Sequence, residues 1–124
     1  MTGAVERDRV LVVDDDPMQV ELVERGLSRD GFEVRGVTSI ADMVVEAGRF
    51  APRIVLIDVN MPDAPGERAV AIARDAAPGV RVVLYSSWEE SRLRVLASQL
   101  GADGYISKSD SVTAFGRRLR AMLA

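Results

Sequence analysis

The chain has 124 residues, 48% of them apolar and 28% charged, and carries a net charge of −3 at pH 7. That is enough sequence for one domain with its own core, and the acidic balance argues against a nucleic-acid surface. There is no cysteine and no histidine, which excludes disulfides, thiolate metal sites, a cysteine nucleophile, and the commonest general base and zinc ligand. Any chemistry must therefore use carboxylates, hydroxyls, lysine or a hard metal. No apolar stretch approaches membrane-spanning length, and the N-terminal residues lack a signal-peptide core. A cytoplasmic location without membrane contact is expected.

Met1 to Asp8 is polar and is expected to form a loose tail, with a single domain over residues 9–124. Short apolar runs then alternate with helical patterns. Strands are predicted at Val10–Asp14, Glu33–Val37, Ile54–Asp58, Val80–Tyr85 and Gly104–Ser107, and helices at Pro17–Arg29, Ile40–Gly48, Gly66–Ala76, Glu89–Leu100 and Ser111–Leu123. Asp16 before Pro17 reads as an N-cap with proline at the first helical position, and Gly31 ends that helix. Ser87-Trp88-Glu89-Glu90 matches a capping box ahead of the fourth helix. Leu93, Leu96, Ala97 and Leu100, and later Val112, Phe115, Leu119 and Met122, recur at helical spacing. Strand followed by helix, five times over, predicts an α/β fold: a five-stranded parallel sheet, doubly wound, with helices on both faces.

Strands this apolar are buried on both faces, and parallel strand ends share one edge, where open α/β sheets place their ligands. Asp14, Asp15 and Asp16 follow the first strand, and Asp58 ends the third. A phosphate-binding turn would be rich in glycine at the first position; here it is acidic. Bare phosphate would be repelled and a hard divalent cation attracted, Mg²⁺ typically taking one or two carboxylates, waters and a phosphate oxygen. Asp16 reads more simply as the helix cap. Asp14 and Asp15 alone could be a solvated loop, but Asp58 closes a buried run where an unpaired carboxylate is costly. Ser86 and Lys108 end the fourth and fifth strands, so four of five strands finish on a polar group suited to a phosphoryl unit.

Taken in order, Asp14-Asp15, Asp58-x-Asn60-Met61-Pro62-x-x-x-Gly66, Ser86, Gly101-Ala102-x-Gly104-Tyr105 and Lys108 resemble the response-regulator receiver domain of two-component signalling, of the chemotaxis-regulator type, across nearly the whole chain. The resemblance implies a flavodoxin-like (βα)5 fold. It implies Asp58 as phosphoacceptor, and Mg²⁺ held by Asp15, Asp58 and the Asn60 main-chain carbonyl, with Asp14 holding a metal-bound water or ligating directly. Lys108 would pair with the phosphoryl oxygens, Ser86 would donate a hydrogen bond to them, and Tyr105 would be the aromatic switch. The implied donor is a phosphohistidine on a histidine kinase or phosphotransfer protein. Output would pass to a downstream protein through the face carrying the fourth helix, Tyr105 and the fifth helix, whether the chain stands alone or is part of a longer regulator. The chain would be a phosphoacceptor that assists its own phosphorylation and dephosphorylation, not an enzyme acting on a separate substrate. It departs from the family in having Ser109, not proline, after Lys108, which raises two questions: whether that peptide is cis, and whether this is a pseudo-receiver that binds partners without switching. A Mg²⁺-dependent phosphohydrolase is a third reading, for which the chain shows no substrate cap and no general acid. Trp88 is equally a partly buried helix-start aromatic or an anchor on the output face. Arg117, Arg118 and Arg120 read mainly as a solvated face, a partner contact or a homodimer on activation being the minority alternative.

Overall fold

Three strands have apolar side chains on both faces, which only a sheet covered from both sides can bury. In a computed structural model, which describes residues 7–110 and 112–123, that is the arrangement found. The strands are β1 (Arg9–Val13), β2 (Glu33–Val37), β3 (Ile54–Asp58), β4 (Arg81–Ser86) and β5 (Gly104–Ser107), and the helices are α1 (Pro17–Arg29), α2 (Ile40–Phe50), α3 (Gly66–Ala76), α4 (Glu90–Leu100) and α5 (Val112–Leu123). All strands are parallel, in the order β2-β1-β3-β4-β5. The apolar strands β1, β3 and β4 are central, and the more polar β2 and β5 form the edges.

Alternation along each strand divides the core in two. Leu11, Val13, Val55, Ile57, Val82 and Leu84 face α2, α3 and α4, meeting Met43, Phe50, Val70 and Leu93. Val10, Val12, Ile54, Leu56, Val83, Tyr85 and Ile106 face α1 and α5, meeting Val23, Leu27, Phe115 and Leu119. Each such side chain is worth about 1.5–3 kcal/mol when fully buried, so slipping a strand by one residue, which exchanges its two faces, is strongly disfavoured. Chain order reverses between β1 and β3: from β1 the chain winds outward to β2, then returns and continues through β3, β4 and β5. A crevice opens at such a reversal, at the carboxyl ends of the strands.

Local capping largely follows the sequence. The Asp16 side chain accepts the Met18 N–H at 3.0 Å, and Ser39 caps α2 by accepting the Asp42 N–H at 3.0 Å. Gly31, at φ +92°, follows the end of α1 in the left-handed region. The capping box ahead of α4 is not formed. Glu89 is the N-cap residue without a side-chain cap bond, and its carboxylate instead accepts the Ser91 hydroxyl at 3.0 Å. β1 lies one residue earlier and β4 one residue later than expected, α4 starts at Glu90 instead of Glu89, and α2 runs on to Phe50, whose ring is buried. Of the expected tail, Met1 and the residues up to position 6 lie outside the described residues, as does Ser111 at the expected start of α5. Asp8 is tied down: its carboxylate accepts Arg53 Nη1 at 2.7 Å and its carbonyl accepts the Glu33 N–H.

The close approach of β2 to α1 depends on Gly36. A Cβ there would collide with the Val20 side chain and the Glu24 carboxylate. Gly36→Ala is expected to cost about 1–3 kcal/mol through overpacking, read as a lower urea midpoint at unchanged slope. A midpoint equal to wild type would show that α1 moves freely away from the sheet.

Candidate functional site: an acidic rim at the sheet's carboxyl edge

The register brings the candidate residues to one level. Val13 pairs with Ile57, so Asp14 lies beside Asp58; Asp58 pairs with Tyr85, and Tyr85 with Ile106. The ladder continues past the strand ends through the Asp14 N–H to Val37 carbonyl bond and the Lys108 N–H to Ser86 carbonyl bond, the latter 2.7 Å. By alternation Asp14, Asp58, Tyr85 and Lys108 fall on the α1/α5 side of the sheet, and Ser86, Tyr105 and Ser107 on the α4 side.

Asp14 and Asp58 are buried, at 1% and 5% exposure, while Asp15 is exposed. One carboxylate oxygen from each of Asp14, Asp15 and Asp58 lies within 4.8 Å of the others. Lys108 Nζ reaches both buried carboxylates, 2.9 Å from Asp14 Oδ2 and 3.1 Å from Asp58 Oδ2. It does so with a trans Lys108–Ser109 peptide. Asp58 Oδ1 accepts the Asn60 N–H at 3.1 Å, which folds the following loop back over the site. That loop is anchored further on, where Asp63 Oδ2 accepts the Ile40 N–H at the start of α2. Asp16 stands outside the cluster as the α1 cap, and its N–H donates to Asp14 Oδ1 at 2.9 Å.

Three carboxylates against one ammonium leave two negative charges uncompensated in a largely desolvated rim. Burial pushes the Asp58 carboxyl up, only partly offset by the Asn60 N–H and Lys108. Burial opposes ionisation of Asp14 as well, but donors from Tyr85, Asp16 and Lys108 outweigh it and hold that carboxyl below its ordinary value. Burial also works against the Lys108 charge, yet its hydrogen bond to the Asp14 carboxylate and the charge of Asp58 overcome it and keep the amine protonated. The donor set is all hard oxygen, and its charge deficit matches one divalent cation. That chemistry fits Mg²⁺: Asp14, Asp15 and Asp58 would hold it together with the Asn60 carbonyl.

On the other face of the sheet, Ser86 is fully buried and its hydroxyl oxygen accepts the Trp88 N–H at 3.1 Å, leaving its proton available. Tyr105 is half-buried against the α4 side of the core, and Arg118 stacks 5.7 Å from its ring. Trp88 is partly exposed under the Arg92 guanidinium, 4.3 Å from its ring centre. The arginines of α5 are less uniformly solvated than expected. Arg118 pairs with Asp110 at 2.7 Å, Arg120 donates to the Asp30 carbonyl and lies over Phe32, and Arg117 is exposed. Sequence reasoning passed over Tyr85, whose hydroxyl donates to Asp14 Oδ2 at 2.6 Å. The available signal was its position in β4, one residue before Ser86 and so on the opposite face, level with Asp58.

The family model for the response regulator receiver domain matches residues 10–119. The chain belongs to this family. Among curated relatives, the transcriptional regulatory protein PrrA of Mycobacterium tuberculosis is 33% identical over 123 residues, covering 99% of this chain and 53% of PrrA. The transcriptional regulatory protein MctR of Rhizobium johnstonii is 37% identical over 106 residues, covering 83% and 49%. The receiver domain thus spans about half the length of these relatives. Among solved structures, the chemotaxis response regulator CheY4 of Vibrio cholerae superposes with a TM-score of 0.83 over 94% of this chain and 99% of its own, at 20% identity. The CheY-like receiver protein of Methanospirillum hungatei gives 0.82 over 95% and 94%, at 22% identity. The flavodoxin-like, five-stranded fold of two-component receivers is therefore that of this chain. No helix among the described residues is long and apolar enough to cross a membrane.

The raised Asp58 carboxyl has a consequence for stability. A carboxyl that binds its proton more tightly folded than unfolded costs stability when ionised; the cost is full above the folded pKa and gone below the unfolded value of about 3.9. Asp58→Asn is expected to raise the thermal midpoint at neutral pH without divalent ions, by about 4 °C per kcal/mol relieved. The gap to wild type should close as the pH falls towards about 4. Scanning calorimetry giving equal midpoints at neutral pH would mean that Lys108 already compensates Asp58 in full.

Proposed function

We propose that this receiver domain is a Mg²⁺-dependent phosphoacceptor switch. Asp58 takes a phosphoryl group from a phosphohistidine on a histidine kinase or phosphotransfer protein. The observation that carries the reading is the convergence of Asp14, Asp15 and Asp58 within 4.8 Å, with Lys108 on both buried carboxylates.

Phosphoryl transfer proceeds through a loose transition state, so positioning and charge neutralisation carry the catalysis. An aspartate carboxyl ordinarily ionises well below neutral pH and as a carboxylate needs no general base, which suits a chain without histidine. One of the Asp58 oxygens forms the new bond to phosphorus as the bond to the histidine nitrogen breaks. A bound Mg²⁺ would supply charge neutralisation for the phosphoryl oxygens and for the acidic rim. Lys108 then turns from Asp58 to the phosphoryl oxygens, and the Ser86 hydroxyl, whose proton has no acceptor assigned by the resting geometry, donates to them. With Ser86 drawn toward the rim, the space beside it on the α4 side opens to the half-buried Tyr105 ring. Packed cores pass between discrete arrangements, so the change would appear on the α4, Tyr105 and α5 face, where a downstream protein binds.

The surfaces flanking the rim suit these partners. Met18 and Leu22 are exposed on α1, just beyond the acidic loop, and Val95 is exposed on α4 near Trp88. A kinase would dock beside α1 and an output protein on α4. A cytoplasmic location follows from such partners. The pseudo-receiver reading was motivated by Ser109; the reach of Lys108 to Asp58 weakens that motive.

Incubation with acetyl phosphate and Mg²⁺ is expected to add about 80 Da, the mass of one phosphoryl group, to wild type and nothing to Asp58→Asn. Lys108→Ala should accept the group but lose the accompanying change in Trp88 fluorescence. No adduct on wild type with either acetyl phosphate or a phosphorylated histidine donor would reject the proposal.

A further inference from the structure

Tyr85 is a fully buried tyrosine whose hydroxyl is spent on a buried carboxylate. Its ring belongs to the α1/α5 side of the core among Val12, Leu56 and Phe115, but its tip is at the acidic rim. The hydroxyl lies 2.6 Å from Asp14 Oδ2, the short separation of a charge-assisted O–H to carboxylate bond. The same ring carries Lys108 Nζ 4.7 Å from its centre. Tyr85 therefore touches both members of the Asp14–Lys108 ion pair, one through its hydroxyl and the other through its face.

The acceptor capacity of Asp14 shows what this contact does. A carboxylate offers about four lone-pair sites. Oδ2 takes the Tyr85 hydroxyl at 2.6 Å and Lys108 at 2.9 Å, and Oδ1 takes the Asp16 N–H at 2.9 Å. The Tyr85 hydroxyl on Oδ2 and the Asp16 N–H on Oδ1 hold the carboxylate plane, the Lys108 ammonium pairs with Oδ2, and lone-pair capacity on Oδ1 remains. Without the hydroxyl, Oδ2 would be held by Lys108 alone. The carboxylate could then turn to offer both oxygens to the ammonium, which would disturb the oxygen it presents beside Asp15 and Asp58.

We infer that Tyr85 is a positioning residue for the divalent cation: its hydroxyl pins Asp14 Oδ2 so that Oδ1 stays presented to the ion alongside Asp15 and Asp58. This rests on the Mg²⁺ reading of the same rim and adds to it a residue from the opposite face of β4 to Ser86. The hydroxyl also keeps Asp14 satisfied whenever Lys108 leaves it for a phosphoryl oxygen, so the lysine is free to move without stranding a buried charge.

The test compares wild type with Tyr85→Phe, which keeps the ring and its contact with Lys108. Binding of Mn²⁺ is read from the free-ion EPR signal, and Mg²⁺ by competition. Partners that orient a metal ligand typically contribute 10–100-fold to affinity, and Tyr85→Phe is expected at the lower end, about tenfold weaker. At saturating Mg²⁺ the rate of phosphorylation by acetyl phosphate should return to the wild-type value, a split between ion affinity and rate that simple loss of packing would not produce. Unchanged or tighter ion binding in a folded Tyr85→Phe would overturn the inference and leave the phosphoacceptor reading intact; no ion binding by wild type would remove both. Should Tyr85→Phe not fold, the Tyr85 hydroxyl proton is followed by NMR in wild type. A low-field resonance that persists on adding Mg²⁺ supports the pin, and its loss overturns it.

Discussion

Two carboxylates buried side by side at the end of a parallel sheet repel each other, and a single ammonium holds them together. Lys108 lies within 3.1 Å of both, yet it cannot balance Asp14, Asp15 and Asp58. The residual charge is not removed by protonation at Asp14, whose three donors favour the ionised form. Its cost falls most heavily on Asp58, the carboxyl that burial pushes up. A further positive charge would relieve this repulsion, and the least comfortable member of the rim is the one proposed to react. Uncompensated charge is costly where water is scarce, and here the fold retains it at the carboxyl edge of the sheet.

The two faces of the sheet divide the work. Because side chains alternate, one residue along β4 carries the chain from Tyr85, which touches Asp14 and Lys108, to Ser86, which contacts the backbone of the loop before α4. Charged groups collect on the α1/α5 side. The groups on the α4 side, Ser86, Tyr105 and Ser107, are neutral and able to move without exposing a buried charge. A switch of the proposed kind would gain from this separation, since an ion site could stay rigid while the opposite face rearranges.

The fold was legible because its signals agree at every level. Val10–Val13, Ile54–Ile57 and Val82–Tyr85 are too apolar to face water on either side, and the helices between them carry apolar residues at 3.6-residue spacing, the first behind the Asp16 cap. Asp14, Asp15, Asp58, Ser86 and Lys108 could be placed on one edge because parallel strands point the same way. What the sequence did not reveal were choices among equivalent polar groups. The capping box at Ser87 is lost because α4 starts at Glu90 with Glu89 as its N-cap residue, and Ser86, not Ser87, receives the Trp88 N–H. Tyr85 was hidden for a different reason: an aromatic within an apolar run reads as core, and its ring is core. Only the register, which sets Asp58 beside it and Asp14 one strand further, shows that its hydroxyl has a partner.

The departure at Ser109 has a local physical answer. Proline would remove an N–H and fix the chain after the lysine. Here the Ser109 hydroxyl and the Ser107 hydroxyl lie 2.7 Å apart, the Ser109 N–H donates to Ser107 Oγ at 3.3 Å, and Ser107 Oγ in turn approaches the Trp88 carbonyl at 3.4 Å. The segment after Lys108 is therefore held by hydroxyls on either side of it and joined to the loop that follows Ser86. Lys108 itself donates its N–H to the Ser86 carbonyl at 2.7 Å. The lysine that faces the acidic rim and the serine on the opposite face are thus linked through main chain as well as through any phosphoryl group they would share. In the proposed cycle a shift of the β4–α4 loop cannot leave the β5–α5 loop behind, because breaking their shared hydrogen bonds would strand polar atoms that are part-buried. The constraint that proline supplies by covalent stiffness is supplied here by a chain of side-chain hydroxyls.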